Sequence, residues 1–245
     1  MTGAASPDPI RPIKPIKPIK PIRPIKPCKL VCWDLDGTLT DSVRFVVDTA
    51  NTVIGRHGGR ALAFDEVGRM TGLPLEDIFR LAWPDLSDAD AVAYRTEYRE
   101  LYAAVVVPAT ALFRGARTTV RAFHRAGLLQ ATVTGKRAGD CERILAGLGI
   151  RGEIQLYLGG DSVPAGRTKP APDVALLAME WLGARPEETV VVGDTVTDMA
   201  MGRAAGARTI QVLWGYATEP LPEADVVVRT WPELRARILQ SDGAL

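Results

Sequence analysis

Beyond position 28 the apolar residues fall into two patterns that take turns along the chain. Unbroken apolar runs over residues 29–34 and 189–193, each stopping at or just before an aspartate, predict strands buried on both faces. A further strand is predicted over 128–134, and shorter ones near 155–159, 208–213 and 225–228. Between them, apolar positions recur at helical spacing near 115–126, 137–147 and 197–205. A further helix is opened by Pro172 at its first turn, and Ser42 is placed to cap one that runs through about Arg56. Strands alternating with helices predict an α/β fold with a Rossmann-like parallel sheet as its core. Residues 43–110 break that alternation. They read as helical over 64–106, with Asp77 and Ser87 as candidate caps, and hold no convincing strand. The predicted organisation is therefore an inserted α-helical cap domain, 43–110, in a core made of 28–42 and 111–245.

The first 27 residues follow neither pattern. From Pro9 to Lys26 they repeat Pro-Ile-Lys or Pro-Ile-Arg, and proline at every third position blocks both helix and sheet ladders. Such a segment suits a polyproline II tail, with cations along one edge and isoleucines along another. It also skews the charge. Six cations against Asp8 give the tail a net of +5, which within a chain net of +1 leaves −4 for the rest. A mildly acidic folded part argues against a nucleic-acid partner. No apolar run approaches the roughly 18 residues a membrane span needs, and the N-terminus lacks the apolar stretch of a signal peptide. Cys28, Cys32 and Cys141 are odd in number and lack metal-ligand spacing, which fits a reducing compartment. The expectation is a cytoplasmic protein, monomer or homodimer, with no membrane and no nucleic acid.

In open parallel sheets ligands bind beyond the carboxyl ends of the strands. Three predicted strands deliver polar groups there: Asp34-Leu35-Asp36-Gly37-Thr38-Leu39, Thr134-Gly135-Lys136, and Gly193-Asp194-Thr195-Val196-Thr197-Asp198. Between the last two lies a loop with Lys169 before Pro170. Two pairs of carboxylates, a hydroxyl and a lysine thus converge on one edge. With no histidine or cysteine among them, the acids suit a hard, oxygen-coordinated cation.

These four segments, in this order, resemble the motifs of the haloacid dehalogenase (HAD) superfamily, in the phosphatase branch with a helical cap after the first motif. The resemblance covers about residues 29–240 and implies a Mg2+-dependent phosphatase acting on a small phosphorylated metabolite. On that likeness Asp34 is the nucleophile and a Mg2+ ligand, Asp36 the acid and base that also lends its backbone carbonyl to the metal, and Asp194 a second carboxylate ligand. Asp198 is expected to orient a metal-bound group from behind. Lys169 stabilises charge on the phosphoryl group and Thr134 donates its hydroxyl, while Gly135 and Lys136 contact substrate, Lys136 being equally readable as a solvent-facing cation. Gly37 permits a tight turn. Family dehalogenases lack the acid at position 36, phosphonatases carry alanine and transport ATPases threonine, so aspartate implies a phosphatase or phosphomutase. Residues 68–75 resemble the cap loop of phosphoglycolate-phosphatase-like proteins and make Arg69 a candidate substrate contact. Related sugar phosphomutases carry a histidine and an arginine where this chain has Val46 and Leu75. The segments at 134–136, 161–164 and 169–173 also resemble phosphatases of aminohydroxybenzoate-type biosynthesis. A phosphotransferase or a non-catalytic protein on the same fold are the alternatives, and the latter should have lost Asp34, Asp36 or Lys169.

Overall fold

The computed structural model describes residues 28–64, 66–67, 75–217 and 219–239. The repeat tail and the loop holding Arg69 lie outside them. The strands along the chain are β1 (Leu30–Trp33), β2 (Thr40–Asp41), β3 (Ala111–Leu112), β4 (Leu129–Val133), β5 (Leu156–Leu158), β6 (Thr189–Gly193), β7 (Arg208–Val212) and β8 (Val226–Val228). The longer helices are α1 (Val43–Arg56), α2 (Leu75–Ala82), α3 (Asp88–Ala109), α4 (Ala116–Arg125), α5 (Ala138–Gly147), α6 (Asp173–Leu182), α7 (Val196–Ala204) and α8 (Trp231–Leu239).

Six strands form one sheet in the order β5-β4-β1-β6-β7-β8, every neighbouring pair parallel. The alternation of side chains along β1 divides the core in two. Leu30 and Cys32 pack with Ala131, Val133 and Val191 against α6 and α7. Val31 and Trp33 face the other way, into a larger cluster with Phe123, Ile144, Val190 and Leu234 from α4, α5, β6 and α8. Covering on both faces is why β1 and β6 read as unbroken apolar runs rather than alternating ones. Trp33 stacks on Phe123 at 5.8 Å and donates its indole N–H to Gln130 Oε1 at 3.0 Å. The Gln130 amide in turn bonds the carbonyls of Val120 and Glu153, so this buried polar group is satisfied.

Helices α1, α2 and α3 form an insertion between β2 and β3. They pack on one another around an aromatic cluster in which Tyr98 stacks on Tyr102 and Phe79 meets Tyr94 and Tyr98 edge-on. The two crossings between core and insertion pair as a short antiparallel ladder, Thr40 opposite Leu112 and Asp41 opposite Ala111. Ser87 bonds the Asp90 amide at the start of α3, as a cap should. Asp77 instead lies within α2, where it pairs with Arg80. Ser42 occupies the cap position of α1 without a capping bond, because its hydroxyl donates to Asp36. Pro172 stands one residue before α6 rather than in its first turn.

Candidate active site

From β1 the chain first builds β4 and β5 on one side, then returns to place β6, β7 and β8 on the other. The exits of β1, β4 and β6 are therefore side by side at the switch point of the sheet, where a parallel fold opens a crevice. All the predicted core site residues arrive there.

Asp34 leaves β1 with its amide still bonded to Val192 O of β6, which fixes the backbone under the carboxylate. The turn that follows folds back on itself, with Gly37 N donating to Thr40 O and both Leu39 N and Thr40 N to Leu35 O. Gly37 has φ +82°, and a Cβ there would stand 2.4 Å from Asp194 Oδ2. Both conformation and space demand glycine at this point.

Asp34, Asp194 and Asp198 are buried, and each offers a carboxylate oxygen within 4.8 Å of those of the other two. Lys169 Nζ lies 2.5 Å from Asp34 Oδ1 and 2.5 Å from Asp198 Oδ1. The remaining oxygens are held too. Asp198 Oδ2 accepts the amide and hydroxyl of Thr195, while Asp194 accepts Thr38 Oγ1–H on one oxygen and the Tyr216 amide on the other. Burial pushes the Asp34 carboxyl up to about 7, a shift that Lys169 opposes and Asp198 and Asp36 reinforce. Asp194 is raised well above the ordinary carboxylate range by burial and by the charges of Asp34 and Asp198. Burial disfavours the Lys169 ammonium, yet the two carboxylates outweigh it and hold its pKa above the ordinary lysine value. Three buried acids, two of them sharing one lysine, form an electron-rich, all-oxygen donor set. Such a set fits a divalent hard cation, whose charge would relieve the crowding.

Asp36 stands outside that trio. Its Oδ2 pairs with Lys136 Nζ at 2.7 Å and its Oδ1 accepts Ser42 Oγ–H. Lys136 is only 10% exposed and sits 4.6 Å from the Tyr102 ring centre, so the solvent-facing reading of this lysine is overturned. Burial works against its ammonium, but Asp36 and the two tyrosines hold its pKa well above the ordinary value. Arg137 is the exposed neighbour, paired with Asp161. Thr134 and Gly135 end β4 beside them, and the Thr134 hydroxyl accepts the Lys136 amide at 3.4 Å.

These groups form one side of a cavity of about 730 Å3, and α2 and α3 form the other. Val46 and Leu75, where sugar phosphomutases carry histidine and arginine, are apolar parts of its wall. Arg69 lies outside the described residues. Asp198 lies beside Asp34 and Asp194, with one oxygen on Lys169 and the other on Thr195. Sequence reasoning missed two contributors. One is the loop after β7, where Trp214 donates to Thr38 O, the Tyr216 amide holds Asp194, and a Cβ on Gly215 would stand 2.5 Å from Asp194 Oδ2. Its place after a parallel strand was the available signal. The other is the face of α3 bearing Arg95, Tyr98, Arg99 and Tyr102, whose spacing of three, four and seven puts them on one side.

The chain is also similar to known proteins. The model of a family described as haloacid dehalogenase-like hydrolase matches residues 31–212. A protein of Xylella fastidiosa named phosphoglycolate phosphatase is 30% identical over 213 residues, covering 85% of this chain and 92% of its own. "Probable phosphatase IndB" of Dickeya dadantii is 32% identical over 215 residues, with coverage of 84% and 91%. The solved structure of a haloacid dehalogenase-like protein from Bacteroides fragilis superimposes with a TM-score of 0.78 at 25% identity, over 85% of this chain and all of that one.

Proposed function

The chain belongs to the haloacid dehalogenase-like hydrolases, and on that premise we propose that it removes phosphate from a small monoester through an aspartyl phosphate formed on Asp34. Hydrolysis of phosphoric monoesters is the coarse activity, and the relatives named phosphatase carry that much. The observation that carries the finer mechanism is the clustering of Asp34, Asp194 and Asp198, two of them on one buried lysine, with Asp36 two residues from the first of them.

A carboxylate of Asp34 attacks phosphorus and the ester oxygen departs, taking a proton from Asp36. Asp36 then accepts a proton from water, whose oxygen attacks the aspartyl phosphate and frees both inorganic phosphate and Asp34. Lys169 faces the phosphoryl oxygens from beside Asp34 and offsets the charge that builds on them. Thr134 offers its hydroxyl and Gly135 its amide to the same oxygens. Mg2+, held by Asp34, Asp194, Asp198 and the Asp36 carbonyl, would supply the positive charge that lets an anionic nucleophile approach a phosphate dianion. Lys136 holds Asp36 in place between turnovers, with Ser42 on the other oxygen.

The helical insertion over 43–110 acts in this reading as a cap that closes the cavity and excludes water. Phosphoglycolate is the first substrate to try, given the named relatives. The cavity also has room for larger esters, which keeps a phosphatase of a biosynthetic intermediate as the second reading.

Release of phosphate from a panel of esters tests the proposal. Asp34→Asn should lower kcat by about a thousandfold or more, and a rate near wild type removes Asp34 as nucleophile. Asp36→Ala should retain Mg2+ affinity while turnover falls by about a hundredfold or more.

A further inference from the structure

Five cations line the cavity: Arg95, Arg99, Lys136, Arg137 and Lys169. Four have an acid within ion-pair distance. Lys169 pairs with Asp34 and Asp198, Lys136 with Asp36, Arg137 with Asp161, and Arg95 with Glu76 of α2. Arg99 has no such partner among the described residues. Partial burial and the neighbouring charges of Arg95 and Arg137 hold its pKa below the ordinary arginine value, with Glu76 and Asp140 only partly compensating. Beside it, Arg95 keeps a buried Nε–H without a hydrogen-bond partner. Arg99 is exposed and Arg95 half-buried, so together they give this stretch of the cavity wall a positive charge that favours an anion.

The helix fixes where that place is. Tyr102 packs on Lys136 next to Asp36. At about 1.5 Å rise per residue, Arg99 stands roughly 4.5 Å and Arg95 about 10 Å further along the axis of α3, away from the catalytic acids. Tyr98, stacked on Tyr102, stands beside Arg99 along the helix, and with Val46, Leu75 and Ile78 gives the cavity wall an apolar and aromatic surface.

We propose that Arg99, with Arg95 beside it, binds a carboxylate of the substrate remote from the phosphoryl group, so that the preferred ester carries acid and phosphate at opposite ends of an apolar or aromatic body. One guanidinium without an acid partner matches the single charge of a carboxylate better than the two charges of a second phosphate. The assignment rests on the phosphatase reading and adds the substrate class to it.

The test compares 4-carboxyphenyl phosphate with its neutral near-isostere, 4-carbamoylphenyl phosphate. Wild type should favour the carboxylate by about tenfold or more in kcat/KM, chiefly through KM. In Arg99→Gln that preference should fall to about twofold or less, and Arg99→Lys should keep most of it. A wild-type ratio near one, or an unchanged ratio in Arg99→Gln, overturns the carboxylate site while leaving the phosphatase intact. If wild type hydrolyses neither ester faster than Asp34→Asn does, the phosphatase reading falls and the carboxylate site with it.

Discussion

Two charge networks of similar make-up show how burial decides what an ion pair is for. At the sheet edge Lys169 bridges Asp34 and Asp198, with side-chain exposures of 5%, 8% and 0%. In the insertion Glu97 bridges Arg56 and His57, with exposures of 26%, 53% and 36%. The contact distances are close, 2.5 Å against 2.7 to 2.8 Å. Water screens the second network, so each of its pairs contributes at most about 1 kcal/mol. The first has lost its water. Its charges depend on one another and on whatever cation joins them, and removing one partner strands the rest. The folded insertion can tolerate an error in its surface pairs, whereas the sheet edge cannot.

That contrast can be tested from the deep end outwards. Chelation of divalent ions should abolish turnover, Mg2+ should restore it and Ca2+ should do so poorly, because the buried trio suits a small hard ion. Activity that survives exhaustive chelation breaks the argument. Lys169→Met leaves Asp34 and Asp198 without their lysine and should cost about 3–5 kcal/mol by denaturant unfolding in chelator. Added Mg2+ should return part of that stability but little of the turnover. Gly215→Ala drives a methyl to 2.2 Å from the Gly37 carbonyl, so about 1–3 kcal/mol and most of the activity should go together. Thr38→Val removes the hydroxyl that orients Asp194 and should cost about 1–2 kcal/mol. Glu97→Gln closes the series, with less than about 1 kcal/mol lost and turnover unchanged. His57 first and Arg56 next hold the Glu97 carboxyl below its ordinary range. Its small contribution is therefore present above the pKa of the unfolded glutamate and fades as acid protonates it in the fold. A larger loss at Glu97 than at Thr38 would reverse the comparison.

The same contrast governs what could be read from the sequence. The strands β1 and β6 announce themselves because sheets covered on both faces need uninterrupted apolar residues. Asp34, Asp36, Thr134, Lys169, Asp194 and Asp198 follow, since each sits at or near the carboxyl end of a predicted strand or in the loop between two of them. The ladder of β2 with β3 left no trace, because two-residue strands are too short for a period. Ser42 carried a correct helix start for an incorrect reason, its hydroxyl being drawn to Asp36 by a contact that only the folded turn creates. Lys136 was ambiguous because its shelter, Tyr102 and Tyr98, comes from the insertion more than thirty positions earlier in the chain. Local pattern locates the acids; only folding tells which cations reach them.

The short ladder at the root of the insertion carries a consequence of its own. Asp41 and Ala111 are direct cross-strand partners, so the chain leaves the sheet and re-enters it at one point. In topological terms the helices replace the turn of a β-hairpin, and a two-residue turn in their place would close the same ladder. The sheet with its acids and the helical insertion are thus joined at a single doorway, through which one can be exchanged without rethreading the other.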